Sequence, residues 1–197
     1  GAGLCGSHLS RFLLNKGYSV VILDDFSESF PENLDPRSKF YLVDIGDFKK
    51  VQQIFDIEKP DYVYGMQAHA AECASPWTRI DTYYSNLITE LSLINACVNT
   101  GIKKKIAFSS MAAYGNSPTP FLESMMLDPI DDYGLAKEVS EREHKLAKIH
   151  QQLDFSIVRP HNFQGIYVNW ANIYRNFLGI AVRKALKLVK GTFCLAV

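Results

Sequence analysis

Val20-Val21-Ile22-Leu23 is an unbroken apolar run that stops at Asp24-Asp25. Consecutive apolar residues, rather than alternating ones, are what a strand covered on both faces of a parallel sheet requires. Runs of the same kind recur at 40–43, 62–64, 106–108 and 155–158. Helical patterns lie around and between them. Leu9, Phe12 and Leu13 mark one apolar helix face, closed by Gly17. Asp47 can cap a helix carrying Phe48, Val51, Ile54 and Phe55. Leu87, Leu91, Ile94 and Val98 line another, which Gly101 closes. A helix runs from 133 to about 150, and a last one over 173–190 turns Phe177, Ile180, Ala181 and Leu188 inward. Strands alternating with helices build βαβ units. The expected fold is therefore α/β, a doubly wound, Rossmann-like parallel sheet. There is no internal repeat and no linker, so 1–197 reads as one unit.

Composition narrows the class. With 47% hydrophobic and 21% charged residues, the chain is ordinary globular material. A net charge of +0 argues against nucleic acid or an anionic membrane surface as the main partner. No apolar run is long enough to span a bilayer. Cys5, Cys73, Cys97 and Cys194 have neither C-x-x-C nor zinc spacing, which points to free thiols in a reducing, cytoplasmic setting. The five histidines are scattered, so no metal is expected, and His69 reads as a packed loop residue. Both ends read as cut: no strand precedes Gly1-Ala2-Gly3, and the chain stops just after a helical pattern.

Two stretches carry chemistry. At one end, Gly3-x-x-Gly6 opens a helix, and the strand that follows ends in Asp24. In a dinucleotide fold such glycines let the backbone approach a pyrophosphate seated at the positive helix N-terminus. An acid about 20 residues on bonds the adenosine ribose hydroxyls. Asp24 stands at that distance and would repel a 2′-phosphate, which favours NAD over NADP. Asp44-Ile45, at the tip of the next strand, either contacts the adenine or supplies a helix-capping Asp. Cys5 lies inside the turn, where its backbone N–H matters more than its thiol. At the other end stand Tyr133 and Lys137. Residues four apart share a helix face. An ammonium beside a phenol favours the phenolate, whereas an unassisted tyrosine titrates near ~10. Alone, this pair is equally a helical surface pair.

Read in order, these stretches form a longer pattern. It runs through Gly1-Ala2-Gly3-Leu4-Cys5-Gly6-Ser7-His8-Leu9, Leu23-Asp24-Asp25, Asp44-Ile45 and Met66-Gln67-Ala68-His69-Ala70-Ala71-Glu72. It continues through Asn86, Ser109-Ser110-Met111-Ala112-Ala113-Tyr114-Gly115, Tyr133 to Lys137 and Arg159-Pro160-His161-Asn162. The pattern resembles the extended short-chain dehydrogenase/reductase family. Within that family it is most similar to the NAD-dependent epimerase/dehydratases of the nucleotide-sugar 4-epimerase type.

The resemblance implies NAD as cofactor and a nucleotide sugar, first of all a UDP-hexose, as substrate. It also implies a homodimer joined by the helices starting near Asn86 and at Tyr133. Gly3 and Gly6 match the second and third fingerprint glycines. Asp25 follows the ribose-binding Asp24. Gln67-Ala68 falls beside the adenosine half, while Asn86 and Pro160 fall by the nicotinamide half. Asn162 contacts the substrate diphosphate or simply caps its loop. Ser110, four before Tyr114, would hold the hydroxyl that Tyr133 deprotonates, with Lys137 supporting the phenolate and the nicotinamide ribose. Transient oxidation to a 4-keto sugar, with hydride returned to the other face, would complete the reaction. Met111 and Ala112 stand where dehydratases carry an acid, which favours epimerase or keto-reductase. The stretch 172–176 is also epimerase-like, and 160–197 would begin the substrate-binding part. Three departures from the pattern lead us to expect weak NAD binding and little turnover from this chain. They are the absent first strand and first glycine, the absent substrate-binding remainder after Val197, and Gln67 and Gln164 in place of the usual Ala and Tyr. A non-catalytic dinucleotide-binding protein, or an inactive fragment, is the alternative.

Overall fold

The computed structural model describes residues 1–70 and 72–167. The expected helix over 173–190, the stretch 172–176, Cys194 and most of the 160–197 segment lie outside them. Five strands appear among the described residues: β1 (Val21–Asp24), β2 (Lys39–Leu42), β3 (Tyr62–Gly65), β4 (Lys104–Phe108) and β5 (Phe155–Val158). Each overlaps an apolar run of the sequence. All pairings are parallel, in the orders β1-β2 and β3-β4-β5. The helices are α1 (Leu4–Asn15), α2 (Phe48–Glu58), α3 (Arg79–Tyr83), α4 (Thr89–Thr100) and α5 (Asp132–Gln151). A π-helical turn, Tyr84–Ile88, joins α3 to α4. The architecture is α/β and Rossmann-like.

One core ties the two strand groups together. Val43 from the end of β2, Val51, Ile54 and Phe55 of α2, Val63 of β3 and Leu93, Ile94, Ala96 and Cys97 of α4 are all buried against one another. Asp47 caps α2 as expected, accepting a hydrogen bond from the Lys50 backbone N–H at 3.3 Å. Phe48, expected on the inner face of α2, lies toward solvent.

Two other helices turn differently from the sequence expectation. In α1 the fully buried residues are Ser7 and Ser10, and Phe12 is exposed beside Lys16. Ser10 Oγ is satisfied inside the helix by the Ser7 carbonyl at 3.1 Å, so this small polar side chain can be buried. In α4 only Ile94 of the four expected residues is fully buried, and Glu90, Leu93, Ala96 and Cys97 are buried with it. The helix is packed between α2 and α5, so burial extends well round its circumference.

Glu90 is buried because it meets Lys105, which points from β4 into the same space and has 0% exposure. Lys105 Nζ donates to Glu90 Oε1, and His144 Nε2 of α5 lies 3.1 Å from the same oxygen. Burial opposes ionisation of Glu90, but the Lys105 ammonium and His144 outweigh it and hold the carboxyl well below its usual range. A carboxylate whose folded-state pKa is depressed stabilises the fold above its unfolded pKa of about 4.3 and loses that contribution as pH falls toward the folded value. We expect urea-unfolding stability to drop with acidification from about pH 4.5 downward. The Glu90→Leu/Lys105→Met double variant, which removes both buried charges, should show a shallower drop. Equal acid slopes would mean that other carboxylates control the effect.

Candidate functional site

The glycine turn and α1 form the first half of the site. Gly3 caps α1 with no side-chain hydrogen bond, at φ −75° and ψ 178°, and a Cβ added there would meet no protein atom within 4 Å. Among the described residues nothing demands glycine at 3, and the space beside it is open. Gly6 is the opposite case: its Cβ would stand 2.1 Å from the Gly1 carbonyl oxygen. One glycine closes the turn and the other leaves room at a helix N-terminus, the division of labour that a pyrophosphate-binding turn needs. Cys5 lies in the first turn of α1, half-buried. It lines a cleft of about 530 Å³ with Leu4, His8, Leu9, Met66 and Phe108.

Asp24 ends β1 beside this turn. Its Oδ2 accepts from the Ala2 backbone N–H at 2.8 Å and from the Gly1 amino group at 2.5 Å. Its Oδ1 accepts from the Phe26 N–H and the Ser29 hydroxyl. Burial pushes the Asp24 carboxyl up, but the neighbouring ammonium and these donors hold it low. A ribose hydroxyl would have to share these oxygens. Asp25 is exposed and bonded to Ser27.

Asp44 caps no helix, since Asp47 does that. Instead its Oδ1 accepts from the Gly46 N–H and its Oδ2 from the Tyr84 hydroxyl, each at 2.7 Å. Hydrogen bonding to this carboxylate pushes the Tyr84 phenol up to about 12. Ile45 packs against the core. Gln67 and Ala68 follow β3 and are half-buried. The Gln67 side chain turns inward, and its Nε2 donates to Glu90. Asn86 lies in the π-helical turn, a kind of irregularity found often at functional positions. Its amide donates to the carbonyls of His69 (3.1 Å) and Thr82 (2.8 Å), and its buried Oδ1 receives no hydrogen bond among the described residues. His69, expected as a packed loop residue, sits with Nδ1 3.1 Å from Glu28 Oε1.

The second half of the site stands where β4 ends. Ser110 caps a short 3-10 turn, Met111–Tyr114, its Oγ accepting from the Ala112 N–H at 3.1 Å. The first turn of α5 presses on this turn. A Cβ at Gly134 would lie 2.6 Å from the Ala112 oxygen, so only glycine lets Tyr133 come in this close. Asp131 caps α5 through a 2.7 Å bond from the Gly134 N–H. Ser110, Tyr133 and Lys137 are 6%, 4% and 3% exposed. Lys137 Nζ donates to the carbonyls of Phe108 (3.1 Å) and Gln67 (3.4 Å) and lies 5.9 Å from the centre of the Tyr133 ring. The structure thus gathers the end of β4, Tyr133 and Lys137 into one buried group. It also brings in Pro160, whose carbonyl accepts from the Met111 N–H at 3.2 Å. Asn162 lies exposed two residues beyond.

Sequence reasoning missed the clamp beneath this group. Glu141, one turn past Lys137 on the same face of α5, takes both Nε and Nη2 of Arg159, at 2.8 and 2.7 Å. It also accepts the Ser109 hydroxyl at 2.5 Å. Arg159 Nη1 reaches the Tyr114 hydroxyl at 2.9 Å, and these bonds, with Glu141 first, raise its basicity further. The four-residue step from Tyr133 through Lys137 to Glu141 was the available signal.

A glycine turn at a helix N-terminus, an acid at the end of the next parallel strand and the buried Ser110, Tyr133 and Lys137 by the sheet's carboxyl edge are features of a Rossmann-like fold of the short-chain dehydrogenase type. Residues 1–193 match the NAD dependent epimerase/dehydratase family, and the chain belongs to it. UDP-glucose 4-epimerase from Lactobacillus helveticus is 31% identical over 166 residues, 84% of this chain and 50% of that protein. The chain thus spans about half the length of the curated relatives it matches. The structure of UDP-glucose 4-epimerase from Thermotoga maritima with UDP-glucose is 28% identical and covers 95% of this chain and 61% of that one, at a TM-score of 0.90. The Thermus thermophilus UDP-glucose 4-epimerase in complex with NAD is 26% identical and covers 93% and 59%, at 0.85.

Proposed function

We propose that this chain carries the cofactor and proton-transfer half of an NAD-dependent nucleotide-sugar 4-epimerase acting on a UDP-hexose. The observation that carries the reading is that Ser110, Tyr133 and Lys137 are each buried, Lys137 beside the Tyr133 ring and Ser110 capping the turn on which α5 presses, next to strands that also present an open glycine turn. The site fits the cofactor on two counts: the open space at Gly3 and the buried Asn86 Oδ1, which receives no hydrogen bond among the described residues. The turn at Gly3, Cys5 and Gly6 would hold the pyrophosphate, and Asp24 and Asp25 the adenosine ribose. Asp44, Ile45, Gln67 and Ala68 would frame the adenine side. Asn86, Pro160 and Lys137 would face the nicotinamide half. Bound NAD supplies a reversible hydride acceptor.

The chain's own residues handle the proton and the hydroxyl. Lys137, held by two carbonyls, stabilises negative charge on Tyr133. Tyr133 then takes the proton of the sugar hydroxyl as general base and returns it after the keto sugar has turned. Ser110 bonds that hydroxyl and orients it. Met111 and Ala112 offer no acid for taking a proton from the neighbouring carbon, which supports epimerisation over dehydration. Asn162 is assigned to the substrate diphosphate. A homodimer through the helices that start near Asn86 and at Tyr133 belongs to the same reading, supported by exposed apolar residues at the head of the first (Ile88) and along the second (Leu135, Leu146 and Ile149).

The test is calorimetric titration of the chain with NAD and NADP. Single-turnover mixing of the NAD-loaded protein with UDP-glucose and UDP-galactose follows, read by the absorbance of reduced cofactor, with sedimentation of the same sample. Binding of NAD over NADP and sugar-dependent reduction are expected. Absence of NAD binding would overturn the reading. NAD binding without any sugar-dependent reduction would put a non-catalytic dinucleotide protein in its place.

A further inference from the structure

The two carbonyls that receive Lys137 are not held by the site alone. Gln67, whose backbone oxygen accepts Lys137 Nζ at 3.4 Å, directs its side-chain amide away from the site and into the buried carboxylate of Glu90. Glu90 uses its other oxygen for Lys105, three residues before Phe108, whose carbonyl is the second acceptor for Lys137 at 3.1 Å. Gly65, two residues before Gln67, makes room for this pair. A Cβ there would stand 2.7 Å from Lys105 Nζ and 3.0 Å from Glu90 Oε2. His144 closes the group from α5, seven residues past Lys137, with Nδ1 donating to the Ser140 carbonyl at 2.8 Å. Strand ends β3 and β4 and helices α4 and α5 all contribute, and the group is nearly free of solvent. The half-buried Gln67 amide bonded to the buried, ionised Glu90 carboxylate is a strong tie, since charge-assisted bonds exceed neutral ones.

We propose that Gln67 is a positioning residue for Lys137. Its amide, anchored on the buried Glu90–Lys105 pair, fixes the carbonyl that receives the Lys137 ammonium. The geometry of the Gln67 and Glu90 contacts stands on its own, but its meaning for catalysis rests on the function proposed above. A purely structural role predicts that loss of the amide loosens α4 from the sheet generally. A positioning role predicts that Lys137 is released selectively.

The two are separated by competitive lysine acylation with mass-spectrometric readout, on the chain without added ligand. In Gln67→Leu, the reactivity of Lys137 should rise about tenfold, the size expected for losing one charge-assisted bond. Lys105, equally buried, should stay protected. The Glu90→Leu/Lys105→Met variant, which removes the anchor while keeping the space filled, should raise Lys137 reactivity in the same way. Unchanged Lys137 reactivity in both variants, or a parallel rise of Lys105 in Gln67→Leu, would overturn the proposal. NAD titration of the same proteins keeps the two readings apart. If the unaltered chain binds no NAD, the proposed function falls, while the acylation pattern still decides whether Gln67 positions Lys137.

Discussion

Tyr133→Phe is expected to lower the single-turnover rate of sugar oxidation by about 10²–10⁴, the range over which positioned proton transfer contributes, while leaving NAD binding nearly intact. The substitution removes one oxygen from a side chain that is 4% exposed and keeps the ring that packs against the turn after β4. Helix α5 retains its Asp131 cap and the Gly134 contact. What disappears is the group that takes the proton. Lys137→Met should cost both the rate and NAD affinity, because it deletes a buried ammonium that two carbonyls hold in place. A single-turnover rate for Tyr133→Phe within a few-fold of the parent would remove Tyr133 from the chemistry. Single-turnover readouts suit this chain because little steady-state turnover is expected of it.

Gly3→Val should weaken NAD binding about a hundredfold, equivalent to roughly 2.8 kcal/mol, with only a small loss of stability. The backbone at Gly3 is ordinary, and no protein atom lies within 4 Å of the added Cβ, so the cost to folding is that of a poorer helix cap, about 1 kcal/mol. The valine would occupy the space that the pyrophosphate needs at the start of α1. Gly6→Ala should behave differently. Its Cβ would sit 2.1 Å from the Gly1 carbonyl oxygen, so the turn must shift and stability falls together with binding, by about 1–3 kcal/mol. Thermal melts and NAD titrations of the two variants test the contrast. If Gly3→Val binds NAD like the parent, the open space at Gly3 is not where the pyrophosphate sits.

The strands were readable from the sequence as short apolar runs bounded by polar and turn residues, but the expected cover on both faces is not what the described residues show: β3 alternates buried and exposed, and β2 and β5 are at most half-buried. The helix faces were less readable. In α1 the buried residues are Ser7 and Ser10 rather than Phe12, a choice set by what surrounds the helix, which periodicity does not encode. In α4 the presence of Glu90 on the buried side depended on Lys105, which lies 15 residues away on a strand where a lysine would ordinarily face water.

For the site, local spacing determined a good deal. The four-residue step from Tyr133 to Lys137 puts both on one face of a helix, and the apolar run at 106–108 puts Ser110 just past a strand end. These are properties of 3.6-residue periodicity and of strand termini, and they hold wherever the elements sit. What the sequence alone could not decide is how these pieces are held against one another. Lys137 is anchored by carbonyls from two different strand ends, Ser109 and Arg159 meet on Glu141, and Gln67 turns from the cleft to a buried carboxylate. Each is a contact between residues far apart in the chain. Its energy comes from burying a charge where only one specific partner can satisfy it, so only the tertiary structure could show which partner that is.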